Sequence, residues 1–537
     1  MLSSVYIIKA NNRTQVAVSK GNENKFELSL DALLLEKCNT FEIEFVLDNK
    51  IKKIRNHDYE WIDFKKGFIA AEYAPKIFQL ENRFFVQPSS NRGIWEVIDE
   101  RTFIWTFNPE FSAPLTDYTG KQNEKVINQA ERKIDYSCSI ALLFSKNNAI
   151  EFSRSKIPFS AVVCFTDHCD FDTAENLVLQ RKLFKETGIN VTKGFFLNNY
   201  SKRVNASFEE NSDEFDLWLQ DGHELAYHSL SQSIKTLEES MIDFNSFSPP
   251  KSNIPVWIDH GYQPYNLSLY KNSGINSDAF SKLLSEKKIS ILWNYVDSGT
   301  STNGVVNQMN SNDFTLESFY NGIKELPIKE RMSLMIKNIM FHFYADEKKI
   351  ILYKNLASNF KSFISKKSFS SLKDFIKNSF SVAKPLLKVV LLWSKVKKQS
   401  YKLAKYSPIL FKHTIGENEF YIFQTLELID FKKTLSNGNL EKMINEKGMF
   451  IGHTYFSVPM KYHTGRVFKE EDKIDDIVRD NFVSLGKLIE ERKIWNPVLS
   501  DMVRYLSGFE KVVLDIDDEG KIFVKESGNL LSREIFN

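Results

Sequence analysis

Apolar and polar residues follow two different patterns along the chain, and the change falls near residue 155. Before it, short runs such as Phe41–Leu47, Gly67–Ala71 and Ile94–Val97 alternate or cluster apolar residues between polar turns, which is typical of β-strands. After it, apolar runs of strand length alternate with longer stretches of helical period. The pattern predicts a β-rich accessory domain over residues 1–155, followed by a strand–helix repeat.

The repeat begins with an apolar strand that ends at Thr166, and a helix over Asp172–Glu186 follows, with Thr173 as its N-cap. The further predicted strands are Lys193–Leu197, Leu225–Tyr227, Pro255–Ile258, Ile289–Tyr295, Phe420–Thr425 and Met449–His453. The further predicted helices are Asp213–Gln220, Ile234–Met241, Ser277–Glu286, Leu440–Asn445 and Ile474–Glu490. This α/β alternation predicts a parallel barrel or a doubly wound sheet over residues 156–300 and 415–508.

The repeat is interrupted over residues 300–415 by a basic insertion. Between Lys348 and Lys405 the sequence has fifteen lysines and one acid, Asp374, although the whole chain has a net charge of only +2. Leu372, Phe375, Ile376 and Phe380 fall at helical spacing and predict an amphipathic helix, which Pro385 is expected to break or kink.

Three interpretations of this helical, lysine-rich insertion stay open. It is a helical cap with a solvated lysine face, a peripheral docking element for an anionic membrane, or a contact for an anionic glycan or partner. Nucleic acid is not expected as a partner, because no recognised nucleic-acid motif accompanies the charge. Beyond the repeat, residues 509–537 predict a C-terminal β-hairpin with its turn around Asp518–Gly520.

Composition sets broad limits on the class of protein. A chain of 537 residues, 42% hydrophobic and 26% charged, is expected to be a globular protein of two or three domains. Its four cysteines are scattered and predict no disulfide framework. The N-terminus lacks the pattern of a signal peptide, so a cytoplasmic location is expected, with peripheral contact at the inner membrane surface left open.

Ionisable side chains follow several of the predicted strands. The chain has nine histidines, and five of them lie in four segments near strand ends. These five are His168, His223, His228, His260 and His453. The ends of parallel strands meet at one edge of a barrel or sheet, so several such residues are expected at one site. The first segment also brings Asp167, Asp170 and Asp172 together, and a bound cation would relieve the repulsion among such carboxylates.

The order of these segments is similar to that of the polysaccharide deacetylase family of carbohydrate esterases. The first strand of that family ends in T-F-D-D-G or a variant, where this chain has Phe165-Thr166-Asp167-His168-Cys169-Asp170. Its third strand has G-H-E-I-x-x-H-[ST]-x-x-H, and the segment from Gly222 to Gln232 resembles it. The resemblance covers roughly residues 158–300 and 415–508 and implies a distorted (β/α) barrel.

The sequence departs from the family pattern at three places. Gln232 replaces the second metal-binding histidine, and His168 replaces the usual second aspartate. The arginine-containing motif is absent, and Asp259-His260-Gly261 occupies roughly its place. Because candidate ligands stand near the lost one, a rearranged metal site is favoured over a lost one.

The resemblance implies a metal-dependent deacetylase that acts on an N-acetylated sugar of a surface polysaccharide or of its precursor. The cofactor is expected to be a divalent metal, with zinc preferred by a histidine-rich set of ligands. The predicted metal ligands are His168, Asp170, His228 and His260. Asp167 is expected to act as the general base toward a metal-activated water, and His453 as the acid toward the leaving nitrogen.

Aromatic residues near the strand ends are candidates for stacking on a sugar ring. They are Tyr262, Trp293 and Tyr455. Two other functions stay open: a non-catalytic glycan-binding or scaffold protein in polysaccharide assembly, and the removal of an O-acetyl group at the same kind of site.

Overall fold

The fold was described from a computed structural model of the chain. Its described residues are 1–9, 12–17, 19–22, 24–28, 40–118, 125–132, 140–199, 205–231, 235–260, 263–366, 369–457, 466–470 and 472–537. Side chains are described for these residues except 19–22 and 360–377.

The first 155 residues form antiparallel β-structure, with two main sheets among the described strands. The strands are β1 (Leu2–Lys9), β2 (Asn12–Gln15), β3 (Ser19–Asn22), β4 (Lys25–Leu28), β5 (Phe41–Leu47), β6 (Ile51–Arg55), β7 (Trp61–Asp63), β8 (Ile69–Ala70), β9 (Phe78–Leu80), β10 (Phe85–Pro88), β11 (Ile94–Val97), β12 (Thr102–Phe107), β13 (Pro114–Tyr118), β14 (Lys125–Gln129), β15 (Ile140–Ser145) and β16 (Asn148–Phe152). One sheet has the order β2-β1-β5-β12-β11-β8, and the other has the order β3-β4-β15-β10-β9-β6-β7. The alternation of buried and half-buried residues along β5 matches its sequence pattern.

The chain after residue 160 contains an eleven-stranded sheet. Its strands are β17 (Ala161–Asp167), β18 (Thr192–Phe195), β19 (Glu224–His228), β20 (Val256–Ile258), β21 (Ile291–Trp293), β22 (Asp297–Thr300), β23 (Leu410–Ile415), β24 (Asn418–Phe423), β25 (Thr425–Glu427), β26 (Met449–Thr454) and β29 (Ile494–Trp495), while β27 (Phe468–Glu470) and β28 (Lys473–Ile474) pair separately. The order is β22-β25-β26-β17-β18-β19-β20-β21-β24-β23, with β29 added beside β17.

The predicted distorted (β/α) barrel of the polysaccharide deacetylase type is wrong. The described strands form a curled, half-barrel sheet of mixed direction, and their hydrogen-bonded order runs from β22 to β23 without closing into a ring. The neighbours from β17 to β21 are parallel, as the repeat predicts, but β23 pairs with β24 in the antiparallel direction. The strand–helix pattern indicates parallel neighbours, but it does not determine how distant strands on either side of an insertion pair.

Helices connect these strands; seven of them pack on one side of the sheet, and Leu499–Leu506 packs on the other side, in the core shared with the N-terminal β-structure. They are Ala174–Thr187, Phe208–Gln220, Leu237–Ser246, Ser277–Glu286, Phe431–Thr434, Asn437–Asn445, Asp476–Glu490 and Leu499–Leu506. Along β17, Val163 and Phe165 belong to the core under the helices, whereas Val162 and Cys164 belong to the core shared with the N-terminal β-structure. This alternation explains why β17 reads as a continuous apolar run, since both of its faces are buried.

The insertion is mostly helical in its described residues. Its helices are Leu316–Ile323, Ile328–Asn338, Glu347–Lys366, Phe369–Leu391 and Trp393–Val396, with a π-helical turn at Ile339–Phe343. Pro385 lies inside the fourth helix and does not end it, so of the expected break or kink the break is wrong and the kink stays a prediction. Of the described helices, none combines the length and the hydropathy needed to cross a bilayer.

The C-terminal tail contains the expected hairpin, with β30 (Val513–Ile516) antiparallel to β31 (Ile522–Glu526) and the turn between them. A further strand, β32 (Ser532–Phe536), pairs with β16 and so joins the tail to the N-terminal region. The assignment of separate domains stays a prediction, because the N-terminal sheets and the central sheet share one cluster of buried apolar side chains.

Candidate metal centre at the ends of the parallel strands

Four predicted ligands lie together where the parallel strands end. The ligand atoms of His168, Asp170 and His228 all lie within 4.8 Å of one another. The Nε2 atom of His228 is 3.1 Å from Nδ1 of His168 and 3.0 Å from Oδ2 of Asp170. The Nε2 atom of His260 is 2.8 Å from the other oxygen of Asp170. Three imidazoles therefore surround one carboxylate.

Strand geometry explains this convergence. His168 follows the last residue of β17, His228 is the last residue of β19, and His260 comes two residues after β20. Because these strands are parallel, their carboxyl ends lie on one edge of the sheet. The loop that contains His260 is held by Asp259, whose oxygens accept hydrogen bonds from the backbone N–H groups of Leu267 and Ser268.

Burial controls the charge of these groups. It lowers the pKa of His228 below its ordinary value, and it lowers that of His168 well below it. For Asp170, burial alone would raise the pKa, but the adjacent His260 and His228 hold it well below its usual range. Neutral imidazoles and an ionised carboxylate are the protonation states that a divalent metal requires of its ligands.

The donor atoms of the cluster also fit a cation. Among the described residues, the buried Nδ1 atoms of His228 and His260 have no hydrogen-bond partner. The Nε2 atoms of these two rings face Asp170; they can give up their protons to bind a cation, and the Nδ1 atoms can then carry the protons. The mixed nitrogen and oxygen ligands suit zinc or a similar divalent ion.

His453 lies beside this cluster, on the strand next to β17. The register pairs it with Thr166, and its Nδ1 atom is 2.7 Å from the hydroxyl oxygen of that residue. The centroid of its ring is 4.0 Å from that of His168. Its Nε2 atom is buried and lacks a partner among the described residues. Burial lowers the pKa of His453 to about 3, so the imidazole is neutral at neutral pH.

Aromatic rings form the wall of the cluster. Trp293 lies with its ring centroid 4.2 Å from that of His453, and Tyr455 stacks on His168 at a centroid distance of 4.6 Å. Trp293 is buried, whereas Tyr455 is partly exposed. Tyr262, the third predicted stacking residue, lies outside the described residues, and so does Gln232.

Asp167 belongs to a different cluster. Its carboxylate accepts a hydrogen bond from the backbone N–H of Gly194 at 2.6 Å and forms an ion pair with Lys193 at 2.5 Å. Lys193 also pairs with Asp172 at 2.5 Å, and the side chains of Lys193 and Asp167 are fully buried. Successive residues of a strand point to opposite faces, so Asp167 faces away from the side to which Thr166 and His453 belong. This geometry does not support the general-base role predicted for Asp167.

The sequence pattern does not identify two residues near the cluster, Lys193 and Phe196. Lys193 begins the predicted strand Lys193–Leu197, and a charged residue that is buried in a strand needs a partner of opposite charge, which the pattern does not name. Phe196 follows β18, and its ring lies 5.4 Å from that of His228 and 5.3 Å from that of His260. An aromatic residue at a strand end gives no distinctive signal, because most such residues pack in cores.

His223, the first histidine of the third-strand motif, is separate from the cluster. Its ring packs against Trp218 at a centroid distance of 4.8 Å, and both of its nitrogens are buried without a partner among the described residues. Burial lowers its pKa to about 4. It is therefore a core residue that stays neutral in the folded protein.

We expect His223→Leu to make the protein less sensitive to acid. The unfolded chain binds a proton at His223 below about pH 6.5, whereas the folded chain does not until about pH 4, so this residue removes stability as the pH falls through that window. Between pH 7.5 and pH 4.5 the free energy of unfolding should fall in both proteins. The fall should be smaller in the variant than in the wild type by about 1–3 kcal/mol. Urea unfolding at both pH values measures this difference. An equal fall in the two proteins would contradict the assignment.

Comparisons with known proteins show no family. No family model matches the chain, and no curated protein matches it. Among solved structures, a xylosidase from Aspergillus niger is similar with a TM-score of 0.19 and 12% identity over 56% of this chain, which spans 43% of the xylosidase. A GH31 dextranase from Flavobacterium johnsoniae complexed with glucose has a TM-score of 0.27 and 7% identity over 99% of this chain and 74% of the dextranase. Similarities this low identify neither a fold nor a function, and the resemblance to polysaccharide deacetylases stays a prediction.

Proposed function

We propose that this protein is a metal-dependent hydrolase that removes the acetyl group from an N-acetylated sugar. The observation that supports it is the convergence of His168, Asp170 and His228 within 4.8 Å, with His260 on the same carboxylate. These residues come from three separate strand ends, and such a set is expected for a metal centre rather than for a structural hydrogen-bond network.

The proposed site would hold one divalent ion through the side chains of these four residues. When bound, such an ion lowers the pKa of a water molecule and polarises a carbonyl group. The chain contributes a buried, mostly apolar surrounding that excludes other water, with Phe196 and Trp293 as its walls. The substrate would enter beside Tyr455, which is partly exposed and stacks on His168.

His453 is the proton-transfer residue in this proposal. The proposal places the proton of the neutral ring on Nδ1, which donates a hydrogen bond to the hydroxyl oxygen of Thr166. The lone pair of Nε2 is then available to the site. It would take a proton from the attacking water as the oxygen bonds to the acetyl carbon. It would then return that proton to the sugar nitrogen as the carbon–nitrogen bond breaks. The products are acetate and a free amine.

Two observations support an acetylated sugar as the substrate class. The third-strand segment Gly222–Gln232 resembles the motif of deacetylases, and the site is lined by aromatic rings of the kind that stack on sugars. The proposal gives the base role to His453 and not to Asp167, because the Asp167 carboxylate is held by Lys193.

The test is deacetylation, by the zinc-loaded protein, of sugars that carry both N-acetyl and O-acetyl groups, with acetate and free amine measured in the same samples. Equal release of both supports the proposal, and release of acetate alone would show O-deacetylation instead. Release of neither, from protein that contains one metal per chain, would favour the non-catalytic glycan-binding function.

We expect His453→Gln to lower kcat by about a hundredfold with unchanged metal content, because the amide can still bond to Thr166 but cannot carry the proton. His413→Gln is the matched control, since His413 is also buried on a strand and bonded through Nδ1, to the carbonyl of Glu131 at 3.2 Å. The control should keep full activity. Full activity of His453→Gln would contradict the assignment of the proton transfer.

A further inference from the structure

The helix Phe369–Leu391 of the insertion has two apolar faces in its described part, and only one of them is used by the fold. Val382 and Val389 are 2% exposed, and Leu386 packs on the core. On the opposite face, Phe380 is 75% exposed and Leu391 is 81% exposed. A soluble helix normally has one apolar stripe and a polar face opposite to it.

The exposed apolar residues form a row along the helix that includes one lysine, Lys384. Phe380, Leu387 and Leu391 are spaced by seven and four residues, which places them on one line along the helix. Leu387 is 59% exposed, and Val390 beside it is 66% exposed. Isolated exposed leucines are common on protein surfaces, but an aligned row of large apolar side chains marks an interaction site.

Lysines border this row. Lys384 lies within it and Lys388 at its edge, and both are exposed. Lys395 and Lys398 follow just beyond the helix and are exposed as well. The segment from Lys348 to Lys405 contains one acid, so an occupant of this surface must tolerate or prefer a strong positive charge.

We infer that this surface docks on an anionic lipid bilayer, with the helix lying in the plane of the membrane. The exposed row would enter the acyl boundary, while the lysine ammonium groups reach the lipid phosphates. The opposite face stays packed on the protein, so the helix can sink only to the depth of its exposed side chains. Charge complementarity selects anionic lipid over a second copy of this chain, because two such surfaces would bring two lysine-rich segments together.

Flotation of the full chain with vesicles tests the docking. The wild type should float with phosphatidylcholine vesicles that contain 30% phosphatidylglycerol, about tenfold more than with phosphatidylcholine alone at low salt. The variant Phe380→Ser, Leu387→Ser and Leu391→Ser should lose at least about tenfold in partitioning to the anionic vesicles. Because these side chains are exposed, the variant should fold, and its circular dichroism spectrum should match that of the wild type.

The control variant replaces three exposed apolar residues on other helices, Ile242→Ser, Ile477→Ser and Val483→Ser, and should partition like the wild type. A second variant, Lys384→Gln and Lys388→Gln, should lose about tenfold at low salt and much less at 0.5 M salt. Equal partitioning of the wild type and the triple serine variant (Phe380→Ser, Leu387→Ser and Leu391→Ser) would overturn the proposal. Absence of vesicle binding, together with a dimer that this variant dissociates in sedimentation, would assign the surface to a second copy instead.

Discussion

We expect His228→Ala to abolish stoichiometric metal binding. The Nε2 atom of His228 is the central nitrogen of the cluster, since it lies 3.1 Å from His168 and 3.0 Å from Asp170. Loss of a residue that only orients a ligand lowers metal affinity by about 10- to 100-fold, and loss of a ligand itself should exceed that range. The alanine variant should therefore contain no zinc above background after dialysis, whereas the wild type should retain about one ion per chain.

His223→Ala is the matched control for this measurement, because the two histidines belong to the same sequence motif. His223 packs on Trp218 and Phe184 and takes no part in the cluster, so its loss should leave the metal content unchanged. Metal content should be measured by elemental analysis of purified, folded protein. Equal metal in the wild type and in His228→Ala would remove the basis of the proposed function.

The clustering of His168, Asp170, His228 and His260 could be anticipated because it depends on local features. Each residue stands at the end of an apolar run, and parallel strands end at one edge of their sheet. The direction in which each side chain points was harder to anticipate. Asp167 is adjacent to His168 in sequence, but the twofold period of the strand places its carboxylate on the face of Lys193.

The way in which the sheet is completed could not be predicted. On each side of the insertion two strands follow each other closely, β21 and β22 before it and β24 and β25 after it. The predicted helical insertion also includes strand β23, which pairs with β24 along six residues in a local hairpin. The pairings of β21 with β24 and of β22 with β25 join segments more than a hundred residues apart, and they depend on tertiary packing, which a periodicity along the chain does not contain. The curled, open sheet replaced the predicted barrel for this reason.

The buried ion pair of Lys193 with Asp167 and Asp172 is the basis of the second large expected effect, which concerns stability. We expect Lys193→Met to lower the free energy of unfolding by about 3–5 kcal/mol at pH 8, because it leaves the carboxylates of Asp167 and Asp172 buried without their cation. Burial alone would lower the pKa of Lys193, but the two carboxylates raise it above its ordinary value. The lysine is therefore charged throughout the physiological pH range, and methionine fills its volume without the charge.

Lys185→Met is the control: this lysine is 61% exposed and pairs with Asp221, so its loss should change stability by about 0–1 kcal/mol.

The pH dependence distinguishes an unpaired charge from a packing defect in the Lys193 variant. Burial already raises the pKa of Asp167 to about 7 in the wild type, and removal of the ammonium group should raise it further. When the pKa of a carboxyl group is higher in the folded than in the unfolded chain, the protein loses stability as the pH rises. The loss of unfolding free energy in the variant, relative to the wild type, should therefore be smaller at pH 5.5 than at pH 8. Adding Asp167→Asn and Asp172→Asn to the variant should recover part of the loss at pH 8. A deficit that stays the same at both pH values and in the triple variant would mean that Lys193 acts through packing against Trp218 and Phe456 rather than through its charge.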